Sequence, residues 1–271
     1  MTTDIIPDLE TGWTPHTPAD DTVLRRGLLA LAASWELTGR ANGGRVRREA
    51  RYTVVDHGRP SGLFNGAMLL QPLRGRGFEA AVEQIEGFFS ESGSGAALLW
   101  SPWSTPDLTE RGWTLQGHPP LLYRPAGIPV ERRDREDLEV AEVATPTELE
   151  AWSRLTVEVF PFDDVDPPGG LLDPTTLGDP RYRLTVARVA GRGVAVGGQV
   201  VVDGTNVLLL GATHPDHRGQ GYYAALVADR LARNPDLPAV TIVSDDSRPV
   251  LVERFGFLPI SRFTLWERPR P

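Results

Sequence analysis

The chain has 271 residues, 40% hydrophobic and 24% charged, and a formal net charge of −8, a size that suits two domains with separate cores. That acidity disfavours a general binder of nucleic acid or of anionic membranes, and the absence of cysteine excludes disulfides, thiol catalysis and cysteine metal sites. All 28 basic residues are arginine, no apolar run approaches the ~20 residues of a membrane span, and the N-terminus lacks a signal-peptide pattern, so a cytoplasmic protein is expected.

Residues 1–20 are rich in Pro and Gly without periodicity and read as an arm. A helix is expected over 22–38, with Leu24, Leu28, Leu31 and Trp35 on one face and Gly39 as its stop. Strands are expected at 52–55 and 63–70, then a helix over 78–89 and a strand at 96–100. A short helix near 107–111 and a final strand pair within 113–123 complete the first half. Residues 125–137, with Pro125, Gly127, Pro129 and a dense charge run, read as the connection between domains spanning 21–124 and 138–271.

The second half restarts with a strand at 138–143, and Thr145-Pro146-Thr147-Glu148 is a capping box that predicts a helix to about Val159. Five prolines in 160–180 exclude an ordinary helix there. This long loop carries Asp163, Asp164, Asp166, Asp173 and Asp179, a set that either keeps the loop solvated or attracts a cationic acceptor. A hairpin of strands at 183–190 and 197–202 leads into an apolar strand beginning at Val207.

That strand runs into Pro215, then Arg218-Gly219-Gln220-Gly221, then an amphipathic helix carrying Leu226, Val227 and Leu231. Glycines let backbone N–H groups approach an anion, and the helix start directs its positive dipole end at the same point. Arg218 can pair with phosphate oxygens. The segment resembles the acetyl-coenzyme A signature of the GCN5-related N-acetyltransferases, Pro-x-x-(Arg/Gln)-x-x-Gly-x-(Gly/Ala): Pro215, Arg218 and Gly221 match, whereas Tyr223 stands at the final small position. A second family segment, ending Leu-Tyr-Glu-Lys-Leu-Gly-Phe, is similar to Leu251-Val252-Glu253-Arg254-Phe255-Gly256-Phe257 after a strand at 239–244.

The unit occurs twice. Residues 74–82 and 218–226 are offset by 144 positions with five identities in nine, and the same offset carries Gly112-Trp113 onto Gly256-Phe257. The resulting expectation is an α/β chain of two tandem acetyltransferase-like domains, each a mixed sheet flanked by helices. The first copy is degenerate, because Glu79 occupies the place of Tyr223 and its carboxylate repels phosphate.

The resemblance implies an N-acyltransferase taking an acetyl or other acyl group from acetyl-CoA to a small-molecule or peptidyl amine, with no metal. It assigns Ala212 and Thr213 to the pantetheine and carbonyl, and Arg218, Gly219, Gln220, Gly221, Tyr222 and Tyr223 to the pyrophosphate. The tyrosine that serves the family as acid is replaced by Val252. Candidate catalytic groups are Asp245, Asp163 and Asp164, with His118 from the first half as a further one. Two alternatives stand beside this reading: an aminoacyl-tRNA donor, supported by the cluster Arg40, Arg45, Arg47, Arg48 and Arg51, and a non-catalytic protein that senses a coenzyme or holds a partner.

Overall fold

A computed structural model describes residues 11–14, 16–58, 65–92, 97–132, 135–160 and 171–268. Helix α1 (Val23–Ala41) is capped by the Thr22 hydroxyl, which accepts from the Arg25 amide at 3.1 Å. It runs past the predicted stop, and Gly39 lies inside it. A Cβ there would come within 2.5 Å of Val55 Cγ1, so Gly39 provides close packing rather than termination. Strands β1 (Arg45–Arg48), β2 (Tyr52–Asp56) and β3 (Gly66–Leu69) follow, then helix α2 (Gly75–Ser92) and strand β4 (Ala97–Ser101). Strand β1 was not expected; with one apolar residue among three arginines it carries no alternation to mark it.

Strands β5 (Thr114–Gly117) and β6 (Pro120–Arg124) stand where a strand pair was expected, yet they belong to different sheets. Next come β7 (Glu139–Glu142), helix α3 (Pro146–Val159) with the predicted capping box formed, and β8 (Tyr182–Val189), β9 (Arg192–Val202) and β10 (Thr205–Thr213). Helix α4 (Tyr222–Ala232), β11 (Ala239–Ile242), β12 (Leu258–Arg262) and β13 (Thr264–Arg268) end the described chain.

The two sheets are ordered β1-β2-β3-β4-β13-β5 and β12-β6-β11-β10-β9-β8-β7. Each contains a parallel pair bridged by a helix, β3 with β4 through α2 and β10 with β11 through α4, which is the duplicated unit. Each also takes one strand from the other half of the sequence. β6 lies between β11 and β12, and β13 lies between β4 and β5. The two mixed sheets therefore complete one another.

Helix α1 packs between the sheets. Leu28 and Leu31 meet Met68 and Trp100 from the first sheet and Val207 and Val240 from the second. The opposite face of the first sheet is closed by Val82, Ile85 and Phe89 of α2, and that of the second by Val227 and Leu231 of α4. Burial of side chains of this size stabilises by about 1.5–3 kcal/mol each. Trp13, in the segment read as an arm, is buried edge to face against Trp103 at 6.3 Å.

Candidate functional site

Strand β10 holds its register with β9 to Leu209, then shifts and resumes at Ala212 opposite Val196. Leu210 sits in the bulge with φ of 49°, an uncommon conformation for a branched residue. On its other edge β10 pairs with β11 only at Asn206 and Val207, so the two parallel strands separate beyond that point. The edge of Gly211 to Thr213 is left facing a cleft of about 710 Å³. Its walls include Gly211, Ala212, Thr213, Arg218, Gly219, Gly221, Tyr222 and Tyr223. Seven of the eight residues assigned to coenzyme from the sequence thus line one cavity; the eighth, Gln220, accepts from the Tyr222 hydroxyl through Oε1 at 2.9 Å.

At the mouth of this cleft Gly221 precedes α4 with φ of 83°, and no side chain among the described residues caps the helix. The amides of Tyr222, Tyr223 and Ala224 are the orphan donors of a helix start. The first copy differs. There α2 begins at Gly75, and the amides of Gly77 and Phe78 already donate to the Arg74 carbonyl at 3.1 and 3.4 Å. The helix occupies the stretch that forms a turn in the second copy, Glu79 is exposed one turn into it, and β3 keeps an unbroken register with both neighbours.

Arg218 directs Nε to the Thr213 carbonyl at 3.3 Å and has no carboxylate partner among the described residues. Sequence reasoning missed Arg135. It reaches from the connecting segment to the Gln220 carbonyl and lies 4.9 Å from the centre of the Tyr222 ring, while pairing with Asp137 at 2.6 Å. Its only sequence signal was a charge run attributed to a linker. His214 and His217 meet edge to face at 5.8 Å, and His214 Nδ1 accepts the Asp216 amide, which makes them parts of the turn.

A second cavity of about 380 Å³ lies deeper, between α1, the first sheet and the separated strands β10 and β11. Gly211, Tyr223, Ser244, Ser247 and Phe160 line both cavities, so the two meet there. A Cβ on Gly211 would come within 2.9 Å of Tyr223 Cε2 and 3.2 Å of Arg230 Nη2. Burial pushes the Tyr223 phenol above its ordinary pKa, so it stays protonated at neutral pH.

Of the predicted catalytic groups, Asp245 is exposed and bonded to Arg262 at 2.9 Å, which holds its carboxyl below the usual range. It lines neither cavity, whereas its neighbour Asp246 and Glu253 line the outer cleft. Asp163 and Asp164 lie outside the described residues. His118 is exposed and offers its carbonyl to Arg262 at 2.7 Å. Within the acidic loop Asp179 pairs with Arg181 at 2.6 Å, and Asp173 caps a short turn through the Thr175 amide. The arginine cluster on the first half is partly engaged within the fold: Arg48 and Arg40 share Glu36, Arg45 pairs with Glu91, and Arg45 and Arg47 lie against Phe88. Among the described residues no helix is long and apolar enough to cross a membrane.

No family model and no curated protein matches the sequence. Solved structures do match the fold. A GCN5-related N-acetyltransferase from Kribbella flavida is 22% identical, with a TM-score of 0.64 over 90% of this chain and 97% of that one. A protein assigned to the GNAT acetyltransferases from Novosphingobium aromaticivorans is 16% identical, with a TM-score of 0.53 over 94% of this chain and 100% of that one. A GCN5-related N-acetyltransferase from Sphaerobacter thermophilus is 15% identical, with a TM-score of 0.53 over 82% of this chain and 78% of that one. The chain therefore has the fold of the GCN5-related N-acetyltransferases, built as two tandem copies of which the second keeps an open turn before its helix.

Proposed function

We propose that the second copy binds acyl-coenzyme A, most simply acetyl-CoA, and transfers the acyl group to an amine. The observation carrying this reading is the uncapped start of α4 behind Gly221, opening on the same cleft as the free edge of β10. Helix-start amides with Arg218 and Arg135 suit a diphosphate. The edge of Gly211 to Thr213 supplies backbone partners for an extended pantetheine chain and a donor for the thioester carbonyl. Thr213 Oγ1, buried without a hydrogen-bond partner among the described residues, stands on that edge.

In the reaction the amine nitrogen forms a bond to the thioester carbon. The C–S bond breaks with its electron pair leaving on sulfur, and the amine loses one proton while the thiolate gains one. The products are an amide and free coenzyme A. Asp246, in the cleft, is the proton acceptor of this proposal, and Tyr223, protonated and at the junction of the cavities, is the proton donor to sulfur. It would take the part left empty by Val252. Positioning beside a reactive thioester supplies much of the rate.

Calorimetric titration of acetyl-CoA into the full chain tests the reading. Binding near one site per chain, with thiol release across a panel of amines, is the expected result. Absence of binding, with retention on aminoacyl-tRNA, would replace the donor; binding without any thiol release would leave a coenzyme sensor.

A further inference from the structure

The inner cavity has a composition unlike that of a site for a simple cation. Its walls are apolar at one end, where Leu31, Trp35, Val55, Trp100, Ile242 and Leu265 meet, and Trp35 and Trp100 stand edge to face at 5.6 Å. At the other end, beneath the bulge of β10, lies Arg230, 1% exposed. Its Nε donates to the Leu226 carbonyl at 3.1 Å, and Nη1 donates to those of Gly198 at 3.0 Å and Leu209 at 3.4 Å. Two glycines make room for it, since a Cβ on Gly197 would lie 2.9 Å from its Cζ and one on Gly211 would lie 3.2 Å from Nη2.

Three carbonyl oxygens satisfy N–H groups but do not cancel a charge, and arginine stays ionised in proteins. The carboxylate next to it in sequence, Asp229, is committed to Arg132 at 2.5 Å and to Arg233 at 2.8 Å. Among the described residues Arg230 is therefore a buried cation without a carboxylate partner at the wall of a cavity, an arrangement that is unfavourable unless a counter-ion arrives.

We propose that this cavity is the acceptor pocket and that it takes an apolar amine that also carries a carboxylate, an apolar amino acid being the simplest form. This rests on the acyl-transfer reading above. The carboxylate seats against Arg230, the apolar body lies against the contacting pair Trp35 and Trp100, and the amine faces the junction at Gly211 and Tyr223 where the outer cleft delivers a thioester. A purely cationic amine would meet the Arg230 charge at the same point and be repelled. The described carboxylates of the acidic loop do not reverse this preference, because Asp179 is already paired with Arg181 and Asp173 is a turn cap.

The test compares three probes on the full chain by calorimetry: 3-phenylpropionate, which has the carboxylate but no amine; 2-phenylethylamine, which has the amine alone; and phenylalanine, which has both. A charge-assisted hydrogen bond predicts that 3-phenylpropionate and phenylalanine bind about ten- to hundred-fold more tightly than 2-phenylethylamine. Arg230→Met, checked for native circular dichroism, is expected to erase that difference. The probe series needs no variant, so it decides the matter even if Arg230→Met fails to fold. Equal affinities, tighter binding of 2-phenylethylamine, or no binding of any probe would overturn the proposal. Acetyl-CoA is titrated separately: its failure to bind would overturn the transferase reading while the carboxylate preference is still read directly.

Discussion

Gly77 and Gly221 occupy the same place in two copies of one turn, 144 residues apart, yet only Gly221 adopts a left-handed conformation. Gly77 is the third residue of α2, whereas Gly221 stands outside α4 and exposes that helix's first amides. Glu at position 221 would place an anion at the diphosphate site and force a side chain into φ of 83°. Gly221→Glu is expected to weaken acetyl-CoA binding by at least about 100-fold, whereas Gly77→Glu should change it by less than about threefold. Calorimetry on both variants checks the pair, and a comparable loss from Gly77→Glu would mean that the first copy also takes coenzyme.

Arg218 and Arg135 reach the same turn from different parts of the chain. If both meet phosphate oxygens, Arg218→Ala and Arg135→Ala should each weaken acetyl-CoA by about tenfold, the size of a charge-assisted hydrogen bond. Each variant should also reduce the salt dependence of binding. Titrations at two ionic strengths distinguish this from general destabilisation, which would leave the salt dependence unaltered.

Asp246 lines the cleft and Asp245 is held by Arg262. Asp246→Asn is expected to lower kcat by about 100-fold with little change in KM for acetyl-CoA, the contribution of a positioned base. Asp245→Asn should cost less than about threefold. Because its folded pKa is depressed, any stabilising contribution of Asp245 is present above its unfolded pKa and lost only as pH falls through the folded one. A neutral-pH limb in the activity profile that vanished in Asp245→Asn would reverse the assignment.

The Tyr182 hydroxyl donates to Thr38 Oγ1 at 3.0 Å, tying β8 to α1, and burial raises its pKa to about 12. The folded chain thus keeps a proton that the unfolded chain loses near pH 10. Stability from this source is intact below pH 10 and falls as pH rises through about 12. The loss should be about 1–2 kcal/mol after allowance for partial solvent access. Denaturant titrations between pH 9 and about 12 should show this decline in the parent chain and a shallower one in Tyr182→Phe.

Trp266 of β13 is 5% exposed in the core of the first sheet and donates Nε1 to Thr105 Oγ1 at 2.8 Å. Trp266→Ala should cost about 3–5 kcal/mol. Because β6 and β13 cross between the sheets, scanning calorimetry should show one transition moving as a whole. Two transitions, with only the first displaced, would mean that the sheets unfold independently.

Much of this was legible from local pattern. Thr145 to Glu148 marked the start of α3, and Arg218 to Gly221 marked the turn before α4, because capping and glycine conformations are set within a few residues. The bulge at Leu210 carries no such mark: a branched residue at positive φ is imposed by the strands on either side. Arg230 left a faint sign, an arginine four residues after buried Leu226 on an otherwise apolar stripe. The pairing of β13 with β4 had none, since the partners are more than 150 residues apart and either strand would read the same beside any other.

The crossing of β6 and β13 also dictates an order of events during synthesis. The first sheet lacks an interior strand until residues 264–268 have left the ribosome, so its other strands must wait, half covered, through production of the strands and helices of the second sheet. A nascent chain stalled before Thr264 would expose the edges of β4 and β5 and invite chaperones or neighbouring chains to fill the gap.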